Sequence, residues 1–123
     1  MKKLIILSLA LALVATQTLG FTIADADKLI MTNECPRCDL KSIVLQGQKL
    51  GGAKLSGSNL SRSDMSGAIL IGADLSGANL TGAVLRDAKI DFADLTDAKL
   101  CNTVMPDGQR IFQDCSRDID KDE

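Results

Sequence analysis

No histidine, tryptophan or tyrosine occurs anywhere in the 123 residues. The missing histidine removes the commonest general base and the commonest metal ligand, so no Ser/His/Asp or Cys/His constellation can be assembled. Nor is there a basic stripe to hold nucleic acid. There is no apolar run of the ~20 residues that a spanning helix needs. The longest one, Leu4 to Ala15, follows Lys2 and Lys3 and gives way to the more polar Thr16-Gln17-Thr18-Leu19-Gly20. A positive start, a short apolar centre and a small-residue end form the pattern of a secretory signal. Residues 1–20 are therefore expected to be a signal peptide cleaved after Gly20, with Ala24-Asp25-Ala26 as a second candidate site. No cysteine follows the apolar centre to carry a lipid, so no membrane attachment is expected after cleavage. Removing residues 1–20 takes away two lysines and no acid, so the net charge moves from −2 to −4.

Helical and strand periods are also missing from the rest of the chain. From Leu40 to Met105 every fifth residue is Leu, Ile or Met, fourteen times in succession. A helix repeats every 3.6 residues and a strand every two, so a period of five drifts around either surface. A fixed short period marks a repeat architecture.

The residue two before each large apolar position is small: Ala53, Ala68, Ala73, Ala78, Ala83, Ala88, Ala93 and Ala98, with Cys38, Ser58, Ser63 and Thr103 as near equivalents. Alternation of the two is that of a short strand whose second residues both face inward. The residue two after is glycine seven times between Gly47 and Gly82, which suits a corner with unusual backbone angles. Four such sides close a square coil of twenty residues. Stacked at roughly 4.8 Å, about 3.5 coils make a rod on the order of 17 Å long.

Runs such as ADLSG (73–77), ANLTG (78–82) and ADLTD (93–97) resemble the pentapeptide-repeat family, whose pattern is A(D/N)Lxx. The resemblance covers residues 38–105 and implies an all-β fold, a right-handed quadrilateral parallel β-helix. The flanks CPRCDL (35–40) and CNTVMPDG (101–108) also resemble those of exported bacterial members. Ile43 and Gln48 depart from the small-residue rule, so the first coil should be wider or less regular.

A solenoid needs something to cover each open end. Residues 21–37 are expected to form the N-terminal cap, with a short helix over 24–32 offering Ile23, Leu29 and Ile30. Residues 106–123 are expected to form the C-terminal cap and an acidic tail, with a turn at Pro106-Asp107-Gly108 and Ile111 and Phe112 folded back over the last coil. Cys35 and Cys38 precede the first coil and Cys101 lies on the fourth, too far apart for cross-pairing between ends. The favoured disulfides are therefore Cys35–Cys38 and Cys101–Cys115, as staples of the two ends. An exported compartment permits them.

Reading every twentieth residue shows which side chains stack. Asp74 lies above Asp94, near Asp97, but such side chains serve local turn donors more readily than a cation wanting six or more oxygens. Val44, Val84 and Val104 form an apolar column broken by Asp64, and Ile69, Ile71 and Phe92 are expected to point outward beside it. Ile69, Ile71, Phe92, Val84 and Val104 thus make up a candidate contact surface.

Together these features point to a non-enzymatic, exported structural or protein-interaction module, in a periplasm, a thylakoid lumen or outside the cell. Its partner would be an unidentified protein or a second copy of itself, with no cofactor, metal or nucleic acid. Two other readings stay open. Cys35-Pro36-Arg37-Cys38 has the C-x-x-C spacing of a thiol–disulfide redox protein, though Asp39 stands where haem attachment needs histidine. The family resemblance also implies a DNA-mimicking gyrase inhibitor, against which count the signal sequence, the charge of −4 and the short rod. Alkylating the purified mature protein without reductant should label no cysteine. Rapid, selective labelling at Cys35 would support the redox reading instead.

Overall fold

Every five-residue unit makes one extended side and one corner in the computed structural model, which describes residues 20–115. The proposed signal segment up to Leu19 and the acidic tail from Ser116 onward lie outside the described residues. On each side the backbone bonds to the coils above and below. The Leu40 N–H donates to the Asn59 carbonyl at 2.8 Å, and the Asn59 N–H donates back to the Cys38 carbonyl at 2.8 Å. The pattern recurs up the stack as eleven parallel bridges between residues twenty apart, from Glu34–Lys54 to Val84–Val104. The sides stay isolated bridges because a corner arrives before a longer strand can form.

The corner has a fixed geometry. The carbonyl of the central residue accepts from the N–H three residues on, as from Ser58 to Leu55 at 3.2 Å and from Ala78 to Leu75 at 3.0 Å. The residue two after the centre has positive φ in every unit from Arg37 to Asn102. An i→i+3 bond with positive φ at the third residue is the requirement of a type II turn. Glycine meets it without steric cost, as at Gly72 with φ 68°. The first coil keeps the same ladder, with Ser42 donating to Ser61 at 2.8 Å and Leu45 to Asp64 at 2.7 Å. The expected irregularity there is not found: Ile43 is buried while Gln48 is exposed, so neither forces the coil apart.

Inside, Leu55, Leu60, Met65, Leu70, Leu75, Leu80 and Leu85 have no solvent exposure. Each buried side chain of this size stabilises by about 1.5–3 kcal/mol. The small residues alternate with them, and where these are polar they are satisfied: the Ser58 and Ser63 hydroxyls donate to the Leu55 and Leu60 carbonyls, both at 2.6 Å. Ile90, Leu95 and Met105 are only partly buried, because no further coil lies above them.

At the other end helix α1 (Ile23–Thr32) packs Leu29 into the same core. Thr22 begins the helix by accepting the Asp25 N–H, and Asn33 ends it in the left-handed region. Asn33 also opens the ladder, since its carbonyl accepts the Lys54 N–H at 3.0 Å. Cys35 then stands five residues before Leu40, fully buried, and donates to the Lys54 carbonyl at 2.7 Å. The stacking register thus starts one unit earlier than residue 38. Ile30, expected over the core, is 57% exposed, because a step of one residue turns the helix by about 100° away from Leu29.

Past the last coil, β1 (Leu100–Val104) pairs antiparallel with β2 (Arg110–Gln113), with Leu100 opposite Gln113 and Val104 opposite Arg110. Ile111 packs against the core, while Phe112 is 68% exposed; neighbours on a strand face opposite ways. Among the described residues no helix is long and apolar enough to cross a membrane. Leu75→Ala should lower unfolding free energy by about 2–5 kcal/mol in denaturant titration. Leu95→Ala, at a partly exposed site, should cost clearly less.

Candidate functional site

The four cysteines fall into two pairs at the two ends of the rod. Cys35 is bonded to Cys38 with Cα atoms 5.4 Å apart, and Cys101 to Cys115 with Cα atoms 4.8 Å apart. The first pair is buried, and it follows the C-terminal end of α1. A reactive C-x-x-C thiol needs exposure to reach its target, and both of these sulfurs are shut in the core beside Asp25 of the first turn of α1. The Asp25 carboxylate lies with both sulfurs in one cluster, all within 4.8 Å. Both sulfurs are committed to the disulfide, and the Asp25 carboxylate accepts the Asp39 N–H at 2.7 Å.

The acidic column is a set of turn anchors. Asp74 accepts the Ser76 N–H at 3.0 Å and its hydroxyl at 2.5 Å, and Asp94 accepts the Thr96 N–H at 2.9 Å. Asn59 and Asn79 make the same N–H contacts at their own corners. Asp94 is held below the usual carboxylate range by the Thr96 hydroxyl and N–H. Asp64 is lowered too, chiefly by the Ser66 hydroxyl, with its N–H and the Gln46 amide adding to it and partial burial opposing. A cavity of about 390 Å³ at the C-terminal end is lined by Leu95, Ala98, Leu100, Asp97, Lys99, Gln113 and Asp114.

A family model described as Pentapeptide repeats matches residues 38–77 and 68–105, with eight copies. The chain belongs to the pentapeptide-repeat family. Its ladder and corners are those of a right-handed β-helix solenoid. Among solved structures it is similar to a pentapeptide repeat protein of the Arabidopsis thaliana thylakoid lumen, 30% identical, over 57% of this chain and 56% of that one, TM-score 0.39. Another is a pentapeptide repeat protein of Nostoc PCC 7120, 25% identical over 77% of this chain and 88% of that one, TM-score 0.31. A third is HetL of the same cyanobacterium, described as involved in regulating heterocyst differentiation. It is 30% identical over 63% of this chain and 51% of that one, TM-score 0.26. The chain thus spans about half the length of the Arabidopsis protein and of HetL. No curated protein matches it.

Not all the apolar residues singled out on this pentapeptide-repeat rod share one surface. Phe92 is 93% exposed and Ile71 41%, with Ile69 and Val84 half-buried. In register, Phe92 stands one coil above Gly72, directly after the column of Ile71. Val104 does not belong with them: it is buried where β2 lies along β1. Asp64, engaged by Gln46 and Ser66, separates Val44 from Val84. The surface contracts to Ile69, Ile71 and Phe92, with Val84 at its margin. Missed in the sequence is a second exposed apolar pair on α1, Ile30 and Met31. The run Leu29-Ile30-Met31 was the available signal, since three consecutive residues cannot all face one side of a helix.

Lowered carboxyl values make stability depend on acid. A group ionising more readily when folded contributes fully above its unfolded value, about 4 for Asp, and the contribution is lost as pH falls through the lower folded value. Asp64→Asn keeps an acceptor for Ser66 and removes the titration. Its melting temperature should lie below the wild type's at pH 7, and the difference should close as pH falls below about 4.

Proposed function

We propose that this chain is a non-enzymatic exported module that presents flat faces of its solenoid to a protein partner or to a second copy. In this reading the rod has about 3.5 coils, α1 is its N-terminal cap, and residues 1–20 are removed on export. The corner at Phe92 carries the proposal. Its φ is 60°, a region that glycine takes at most earlier corners without cost and a bulky residue enters at about 1–2 kcal/mol. Its side chain gains no burial in return, being 93% exposed. Strain held without a packing gain is the kind found at functional positions. Ile71 and Ile69 beside it supply the apolar area that an isolated aromatic lacks.

The convex faces support binding rather than catalysis. Asp64, Asp74 and Asp94 spend their carboxylates on turn donors instead of converging in a cleft. Changing Phe92 and Ile71 to Ser should weaken association in sedimentation and in crosslinking within the native envelope compartment. Phe92→Asn separates recognition from folding, because asparagine tolerates the left-handed corner. It should raise stability by up to about 1 kcal/mol while weakening association. Unchanged sedimentation and crosslinking in both variants would remove this surface as the docking site.

A further inference from the structure

The two disulfides differ sharply in access. Cys35 and Cys38 are 0% and 5% exposed, shut between α1 and the first coil. Cys101 is 7% exposed, but its partner Cys115 is exposed. Thiol–disulfide exchange needs a thiolate to reach a sulfur in line, so a reductant meets the C-terminal bond first.

What that bond holds is weakly attached otherwise. Along β2 the residues Arg110, Phe112 and Gln113 are exposed, and only Ile111 packs against the core. The ladder to β1 is short and interrupted by an irregularity between Cys101 and Thr103. Besides that ladder there are an exposed Arg110–Asn102 contact at 2.6 Å and, at the turn, bonds from Gly108 to Met105 and from Met105 to Gln109, both at 2.8 Å, with Asp87 donating to Pro106 at 3.0 Å. A two-stranded ribbon of this kind is marginal in water without further support. Beneath it β1 is the reverse: Leu100, Cys101, Thr103 and Val104 are all buried.

We propose that Cys101–Cys115 is a redox latch. A dithiol reductant attacks the Cys115 sulfur, forms a mixed disulfide and resolves it with its own second thiol. The reductant leaves as a disulfide, and Cys101 and Cys115 gain the two electrons and two protons as thiols. The β2 arm then lifts from β1 and uncovers the strand beneath it. Cys35–Cys38 stays closed, and the ladder below is untouched. The latch does not depend on the Phe92 surface, which lies on a different part of the rod.

Arg110 supplies the readout, because trypsin can cut after it only when β2 leaves the ladder. The full-length mature protein would be treated with graded dithiothreitol under native conditions, alkylated, and analysed by mass spectrometry and limited trypsinolysis. Expected is labelling of Cys101 and Cys115 on the order of tenfold faster than of Cys35 and Cys38. Cleavage after Arg110 should accelerate in step, with backbone circular dichroism unchanged. The Cys101→Ser/Cys115→Ser variant should show the same cleavage without reductant, and native-state alkylation of the wild type tests the order of reduction even if that variant folds poorly. Simultaneous reduction of both pairs would overturn the latch. So would an Arg110 cleavage rate that reduction leaves unchanged.

Discussion

Everything in this rod depends on turning a corner every five residues without leaving the plane of the coil. The turn needs a residue in the left-handed region, and it recurs in every unit from Arg37 to Asn102. Because the corners are equally spaced, the residue twenty along always returns to the same place one layer higher. The backbone ladder and the column of buried leucines are then two results of one constraint. Glycine satisfies it at half of these corners; Arg, Ser, Asp, Asn and Phe92 occupy the others at a steric cost. Continuous stacking offsets that cost, because each side bonds both to the coil above and to the coil below.

The ends are where the constraint no longer suffices. At the start, Asn33 both ends helix α1 and serves as the first acceptor of the ladder, so α1 passes into the solenoid with no linker. Cys35 stands in the core column where later units have leucine, and its bond to Cys38 joins two neighbouring inward positions. At the finish no further coil lies above Ile90, Leu95 and Met105 among the described residues, and the chain reverses into a hairpin. One end is held by buried apolar packing and a buried disulfide. The other is held by a short ribbon and a bond within reach of solvent.

Much of this was legible in the sequence because the period is so strict. The fivefold spacing marks the core column, the small residues mark the second inward row, and glycine marks the corners. Asp74 and Asp94 are readable as turn anchors from their chemistry alone, with Ser76 and Thr96 two residues on to donate to them. Less legible were residues whose exposure depends on the ends. Val104 occupies an outward position by its number, yet β2 covers it. Ile30 and Phe112 read as apolar residues available to cover the end coils, yet the helical step and the strand alternation turn both outward. Cys35 falls on the fivefold beat, but its neighbourhood lacks the A(D/N)Lxx pattern that would draw attention to it.

The sequence by itself determined the repeat, its inward and outward rows, the family and the division of cysteines between the two ends. These follow from local spacing, and local spacing is fixed once a corner is required every five residues. Only the tertiary structure decided how the ends are covered. That outcome rests on how a helix and a hairpin, each free of the repeat, find the exposed edge of a coil. It also decided the surface, removing Val104, isolating Val44 behind Asp64 and leaving Phe92 fully outward on a strained corner. Burial at an end depends on what packs over it, and that is a long-range outcome no local pattern encodes.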